Sequence, residues 1–496
     1  MRILLLIVVL LGNSSVFASF QMNEDMQMAY LHIINLEFDA AQNLLNKEKI
    51  KRSNNGIIYL NENYIDFLKI IIGEEFTYFE KQEKLKNERL KKIISNDKSS
   101  PYYLYSQAEI HLQWAFARIK FKEYLTAAYE IQKAYSLIKK NHHDFPDFKL
   151  NLKSLGLLHI LVGSIQKEYK WVMKLVGIEG NINMGLNELN ELLTITKNDE
   201  HLSVYNTETL FLLSFLQLNY ANDKRDYRKL LEKIAEDYSL NYLLNFAAAR
   251  LSAKLGMNDF TIKILESRPN SKGKYPFYYL DYLLGMSKLY QLDSSAAKHF
   301  NYFLSNFKGK NYIKSAYQKL AWIAYLNTDL EKYQYFCQMT LTNGQALFDE
   351  DKQAEKQVKN GMKLQQFLLK SRLLYDGGYY SRALAQLESI ETIKTFLNLN
   401  TQLEYWYRKG RIYQALDKKF ELVFDCFEKS YGMRAHTSTY FAPMSVLQIG
   451  IEYEKIGNFD KAKLFYNKCL AISNFDYQRG IHQKARAGLN RIKNYN

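Results

Sequence analysis

The chain has 496 residues, of which 67 are Lys or Arg and 52 are Asp or Glu, so its formal net charge is +15. With 47% hydrophobic residues it is too apolar for a disordered protein, and only three cysteines exclude a scaffold built on disulfides. Five prolines in this length argue against an all-β sandwich, which needs many turns. A helix-rich protein remains.

Residues 1–18 have the pattern of a secretory signal peptide. A positive start at Arg2 precedes a continuous apolar run from Ile3 to Leu11, and the segment ends in small residues at Ala18. The run is shorter than the ~20 residues that an uncleaved anchor needs to span a bilayer. We expect export with cleavage after Ala18. The abundance of Lys, Asn, Ile and Tyr is typical of an AT-rich bacterial genome, which favours the periplasm, with peripheral association to the envelope left open.

Residues 19–200 are predicted to form N-terminal helical repeats. Two stretches have the apolar spacing of the second helix of a hairpin, namely Phe38, Ala41 and Leu45, then Tyr124, Ala127, Ile131 and Ala134. The charged run from Glu80 to Lys98 is interpreted as a solvated helix face and loop.

The segment 150–190 differs from an ordinary repeat. Residues 155–165 are apolar on nearly all sides, which predicts a helix buried all round, and Gly156 and Gly163 give it a flat side for close packing. Gly180 and Gly185 have the spacing of a phosphate-binding loop, but the Lys that such a loop requires is missing, so we interpret them as a packing turn. His159 is interpreted as a core histidine with no carboxylate nearby.

Residues 201–345 are predicted to hold the middle helical hairpins. Two of them fall at 280–304 and 312–342, where small residues such as Gly285 and Ala296 alternate with aromatic ones such as Phe300. Long apolar-periodic stretches in 201–268 continue the helical pattern.

Residues 346–496 contain a repeat of 39 to 40 residues. A small residue marks the first helix of each copy, at Ser371, Gly410 and Gly450. The second helix of each copy has a small residue and, four positions later, a large one: Ala383 with Leu387, Val423 with Phe427, and Ala462 with Tyr466. Because small residues let two helices approach and large ones fill the space between them, each copy predicts an antiparallel hairpin. Such hairpins bury their apolar faces only by stacking, so the expected fold is all-α, a right-handed α-solenoid of antiparallel helix hairpins.

These C-terminal copies resemble the tetratricopeptide repeat, most clearly at Gly450, Tyr453, Gly457, Phe459 and Ala462. Their unit is longer than the 34 residues of that family. The segment 150–190 is in addition similar to the tetratricopeptide-repeat family thirty-nine and its fungal inclusion-body-clearance relatives. The matching residues are Gly156, Ser164, Gly177, Gly180, Asn181, Gly185 and Leu186. This second resemblance implies a helical scaffold and carries over no catalytic residue.

Residues that could support catalysis or bind a metal were considered and set aside. His142 and His143 are adjacent near Pro146, which predicts an exposed connection rather than a metal site. The acidic run from Asp349 to Asp351 is placed in a polar connection, whereas a pair of catalytic carboxylates needs an enclosed cleft. Cys337, Cys426 and Cys469 are interpreted as structural thiols in helices. We therefore expect no enzymatic activity, no metal and no cofactor.

The predicted function is that of an exported scaffold or adaptor that binds a protein or peptide on the concave surface. In tetratricopeptide-like repeats the binding residues project from the first helix of each hairpin. By register the candidates are Arg372, Tyr375, Glu404, Tyr407, Arg411, Gln414, Glu454 and Lys455. Tyrosine and arginine are the side chains that most often anchor interfaces.

Two other functions remain open at this stage. One is a glycan-binding protein of the outer membrane or periplasm, which 39 tyrosines and 4 tryptophans would suit. The other is an assembly factor at an anionic membrane surface, because basic residues gather in the C-terminal helix, among them Arg479, Lys484 and Arg486. Export disfavours a nucleic-acid partner, and a small-molecule ligand is not expected.

Overall fold

The structure is a computed structural model that describes residues 19–164, 180–221, 223–361, 365–390, 398–434 and 439–493. The predicted signal peptide lies outside the described residues, and so do residues 165–179 of the unusual segment. Within the described ranges all regular structure is helical.

The described residues within Met1–Leu251, Ser267–Tyr279 and Phe307–Lys310 form one compact unit. Consecutive helices pack in pairs, α1 with α2, α3 with α4, α5 with α6 and α7 with α8. The helices of this unit are α1 (Glu24–Ile34), α2 (Phe38–Lys51), α3 (Gly56–Gly73), α4 (Phe76–Ile94), α5 (Pro101–Lys120), α6 (Tyr124–Asp144), α7 (Asn151–Gly163), α8 (Ile182–Asn198), α9 (Asn206–Leu216), α10 (Lys224–Ile234) and most of α11 (Tyr242–Lys254).

The other compact unit comprises Ser252–Glu266, Leu280–Asn306 and Asn311–Asn496. Here α15 packs on α16, α18 on α19, α20 on α21 and α22 on α23, and the last helix, α24, covers α22 and α23. The helices of this unit are α12 (Asn258–Glu266), α13 (Tyr279–Tyr290), α14 (Ala296–Asn306), α15 (Ile313–Leu326), α16 (Leu330–Thr342), α17 (Asp349–Lys359), α18 (Gln366–Asp376), α19 (Tyr380–Glu388), α20 (Leu399–Ala415), α21 (Phe420–Gly432), α22 (Phe441–Lys455), α23 (Phe459–Leu470) and α24 (Gln478–Ile492).

Small residues sit where the repeat places them, between the two helices of a hairpin. A Cβ atom on Gly410 would lie 2.7 Å from Phe427 Cε1, and one on Gly450 would lie 2.8 Å from Tyr466 Cδ1. In the first copy the hydroxyl of Ser371 donates to the carbonyl of Ala383 at 3.0 Å. The α-solenoid of helix hairpins predicted from the sequence is thereby confirmed. Whether the protein divides near residues 200 and 345 stays a prediction.

Each of these three hairpins turns through a left-handed residue. Gly378 and Gly457 have φ of 84° and 77°, while the middle hairpin uses Asp417 with φ of 50°. Glycine adopts this conformation freely, and aspartate is among the few other residues that do so at modest cost.

Two acidic or basic stretches are more buried than the sequence predicts. The interpretation of the run from Asp349 to Asp351 as a polar connection is wrong, because α17 begins there and Asp351 is fully buried. The Asp351 carboxylate accepts hydrogen bonds from the backbone N–H groups of Tyr312 at 2.6 Å and Ser315 at 2.9 Å. Likewise, the run beginning at Glu80 lies on α4, whose Lys86 is buried against Glu130.

The described part of the segment 150–190 forms a tight pair of helices, α7 and α8. Gly156 faces α8, where an added Cβ would lie 2.8 Å from Leu189 Cγ, and Gly180 lies against Val162. Gly180 and Gly185 therefore act as packing positions, as predicted. The expectation that His159 lacks a carboxylate is wrong, since Glu188 of α8 lies 2.7 Å from its Nδ1.

Among the described helices, none combines the length and the apolar character that crossing a membrane requires.

Candidate functional site

Four of the eight predicted binding residues meet at one cavity of about 170 Å³. Helix α18 contributes Arg372 and Tyr375, and α20 contributes Tyr407 and Arg411. On each helix the two residues lie about one turn apart, and α18 contacts α20, so both helices present the same face to the cavity. The complete lining is Ser371, Arg372, Tyr375, Asp376, Tyr407, Arg408, Arg411, Ile412 and Tyr440.

Arg411 links the two helices through tyrosine hydroxyls. Its Nη2 donates to Tyr375 Oη at 2.8 Å, and its Nη1 donates to Tyr407 Oη at 3.3 Å. The guanidinium also lies over the Tyr375 ring, with its carbon 5.5 Å from the ring centroid. Within the described residues the Nε–H of Arg411 is buried and has no acceptor.

The other two arginines of the cavity each face a carboxylate. Arg408 Nε donates to Glu404 Oε1 at 2.6 Å, one turn earlier on α20. Arg372 lies 3.8 Å from Asp376, one turn later on α18. The predicted candidate Glu404 therefore acts as the counter-charge of Arg408.

Two of the phenols around the cavity, those of Tyr440 and Tyr375, have raised pKa values. Burial raises the pKa of Tyr440 to about 12, although Arg408 and Arg372 act in the opposite direction. Burial also raises the pKa of Tyr375, against the influence of Arg411. Because the oxygens of Tyr375 and Tyr407 accept from Arg411, their hydroxyl protons are available to a ligand in the cavity.

A buried lysine adjoins the cavity on the side of α15. Lys319 Nζ lies 4.0 Å from the ring centroid of Trp322, and the guanidinium carbon of Arg372 lies 5.0 Å from the same centroid. Burial, together with the nearby charge of Arg372, lowers the pKa of Lys319 to about 7. Arg372, Arg408 and Arg411 give this region its positive charge, and Lys319 adds to it when it is protonated.

The remaining three candidates do not line the cavity. Gln414 donates to Gln448 at 3.2 Å and to Glu452 at 2.9 Å, which joins α20 to α22. Glu454 pairs with Arg491 of α24 at 2.7 Å, and Lys455 pairs with the exposed Asp417 at 2.7 Å. These three contacts join neighbouring elements of the stack.

Sequence reasoning missed five members of the cavity as binding residues, namely Ser371, Asp376, Arg408, Ile412 and Tyr440, and it identified Ser371 only as a packing position. Arg408 is one residue from Tyr407 and one turn from Arg411, so the helical register could have identified it. Tyr440 directly precedes α22 and reaches the cavity only through the packing of three hairpins, so the pattern of a single helix carries no signal for it.

Other residues considered from the sequence lie apart from this cavity. His142 and His143 are exposed in the last turn of α6, and His143 Nδ1 lies 3.1 Å from Asp144. Cys426 and Cys469 are buried and Cys337 is half-buried, and no disulfide joins any two of these described cysteines. Across the described residues, no group of three His, Cys, Asp or Glu side chains could hold a metal ion.

Comparison with known proteins adds little to this description. No protein-family model and no curated protein matches the sequence. One similar solved structure is described as "Crystal structure of APC/C hetero-tetramer Cut9-Hcn1"; the match covers 94% of this chain and 99% of that chain, with 12% identity and a TM-score of 0.26. Because that score is low, the fold class rests on the hairpins described above. The resemblance to the tetratricopeptide-repeat family thirty-nine stays a prediction.

Proposed function

We propose that the protein is an exported scaffold that binds a protein or peptide partner in the groove formed by α18, α20 and α22. The observation that carries the proposal is the convergence of Arg372, Tyr375, Tyr407 and Arg411 on one cavity. Stacked hairpins use such surfaces for binding because the rotation from one repeat to the next creates an extended concave surface. The signal-peptide pattern of residues 1–18 is the reason for proposing an exported location.

Arginine and tyrosine suit this role on physical grounds. A guanidinium offers several donors in a fixed plane, and a phenol combines apolar area with one polar end. Arg372 and Arg408 retain 26% and 12% side-chain exposure, so their charges are accessible from the cavity yet partly desolvated. A partly desolvated charge attracts an opposite charge more strongly than a fully solvated one does, because the effective dielectric constant around it is lower.

Site-specific photo-crosslinking in producing cells tests the proposal. Benzoylphenylalanine replaces Tyr440, which lines the cavity, or Tyr335 of α16, whose residue exposure is 57%. We expect discrete cross-linked species from position 440 and none of the same size from position 335. The double variant Tyr407→Ala/Arg411→Ala in the position-440 background should abolish them. Equal cross-links from both positions would contradict a partner in this groove.

The two alternative functions receive weaker support. Tyrosines that are at least half exposed, such as Tyr302 of α14 and Tyr335 of α16, lie on different helices, and glycan platforms need rings side by side. The exposed arginines and lysines of α24 would suit an anionic membrane surface. Binding to a polysaccharide panel, or to vesicles containing anionic lipid, that survives the double variant would favour these alternatives.

A further inference from the structure

The positive charge of the cavity is only partly balanced by the protein. Glu404 lies against Arg408 and Asp376 against Arg372, whereas the polar contacts of Arg411 among the described residues are to the phenol oxygens of Tyr375 and Tyr407. Buried charges in proteins are almost always paired. Within the described part of the protein, one positive charge of the cavity therefore has no carboxylate in direct contact.

The hydrogen bonds of Arg411 show the same imbalance. Its Nε–H is buried without an acceptor among the described residues, although most buried donors in proteins are satisfied. The two phenol hydroxyls add two donors from neighbouring helices beside the same guanidinium. Around Arg411, three donors therefore have no acceptor among the described residues.

Size and charge together select the kind of acceptor. A cavity of about 170 Å³ admits a group near the size of benzene, which a cavity of about 150 Å³ can hold. A carboxylate brings one negative charge and balances Arg411. A phosphate brings about −1.5 to −2, so its charge is balanced only when Lys319 beside the cavity is protonated as well.

We propose that the cavity binds a single carboxylate of the partner, either an Asp or Glu side chain or the C-terminus of a polypeptide, with Arg411 as its charged ligand and Tyr375 and Tyr407 as further donors. This inference rests on the proposed function, since it names the group that a bound peptide inserts. An arginine that is held in place by two phenols loses little side-chain entropy on binding, so a single acidic residue determines much of the selectivity.

The test selects peptides from a random twelve-residue library with free C-termini on the wild-type protein. We expect selected sequences to share one acidic position or to require the C-terminal carboxylate. Replacing that Glu by Gln, or amidating the terminus, should weaken binding to the wild type at least tenfold. With Arg411→Met the same replacement should change affinity less than twofold, because the carboxylate no longer has its charged ligand.

Three controls distinguish carboxylate binding in the cavity from peptide binding in the groove in general. Arg479→Met, on the exposed face of α24, should bind every selected peptide like the wild type. If Arg411→Met does not fold, Tyr375→Phe removes one donor and should cost several-fold in affinity for the acidic peptide alone. A phosphoserine in place of the Glu should bind no more tightly than the Glu.

Each remaining outcome has a definite meaning. Selected peptides without a required carboxylate, or with equal affinity for Arg411→Met, overturn the carboxylate inference and leave the peptide-binding groove intact. A library that yields no peptide sensitive to Tyr407→Ala/Arg411→Ala overturns the proposed groove itself.

Discussion

Gly450 lies directly against the ring of Tyr466, so closely that an added Cβ would be 2.8 Å from Tyr466 Cδ1. The tyrosine ring is buried between α22 and α23 and cannot withdraw into solvent. The same relationship joins Gly410 to Phe427 in the preceding hairpin. In these two hairpins, the contact between glycine and ring sets how closely the two helices approach each other.

Gly450→Ala should therefore destabilise the protein by about 1–3 kcal/mol, as overpacking of a filled core does. The measurement is the urea midpoint of unfolding. Gly480→Ala is the matched control, because Gly480 lies in α24 with open space around the position of its missing Cβ. There the change should raise stability by about 0.5–1 kcal/mol through helix propensity. Equal effects of the two variants would contradict the packing argument.

Asp351→Ala should cost about 2 kcal/mol, because it leaves the backbone N–H groups of Tyr312 and Ser315 at the start of α15 without their acceptor. The control is Asp349→Ala in the same helix. The Asp349 side chain is 99% exposed, so its removal should change the free energy of unfolding by less than about 0.5 kcal/mol. Denaturation of both variants at pH 7 decides the matter. A similar loss in each would contradict the capping role of Asp351.

Glu208 should make the stability of the compact unit that contains α1–α10 depend on pH. It is buried beside Lys153 and accepts a hydrogen bond from Tyr30, and burial raises its pKa to about 8 from 4.5. Between these values the folded state keeps a proton that the unfolded state releases. The free energy of unfolding therefore falls as pH rises through this window, by at most roughly 1.4 kcal/mol per pH unit.

Denaturant midpoints at pH 5.5, 6.5 and 7.5 would measure this slope. Glu208→Gln should flatten it, whereas Glu200→Gln, just beyond the exposed end of α8, should leave it unchanged. A slope that persists in Glu208→Gln would assign the pH dependence to another group.

Lys319 should give the compact unit that contains α12–α24 the opposite pH dependence of stability. Burial lowers its pKa to about 7 from 10.5, so between these values the unfolded state binds a proton that the folded state lacks. The free energy of unfolding then rises with pH across that window. Lys319→Met should stabilise the protein at pH 7 and remove the rise of the unfolding free energy with pH. Lys463→Met, at an exposed position of α23, should do neither. A loss of stability in Lys319→Met would show that its contact with Trp322 outweighs the burial cost.

The charged groups show where sequence reasoning reached its limit. Patterns within one helix placed Tyr407 and Arg411 one turn apart on α20, and the structure has both in the lining of one cavity with Tyr375. They failed for Asp351 and His159, whose partners come from other helices. Charged residues are exposed in most helices, so a local pattern assigns them to solvent unless a distant partner is known.

The amino-acid sequence by itself determined that this protein is built of helix hairpins, since the spacing of Ser371, Gly410 and Gly450 records where one helix must approach another. Only the tertiary structure decided which side chains share a cavity. Glu454 and Gln414 were placed on the same face as Arg411 by register, yet they contact neighbouring helices instead. The reason is that backbone periodicity is fixed within one helix, whereas the partner of a long polar side chain depends on how several helices stack.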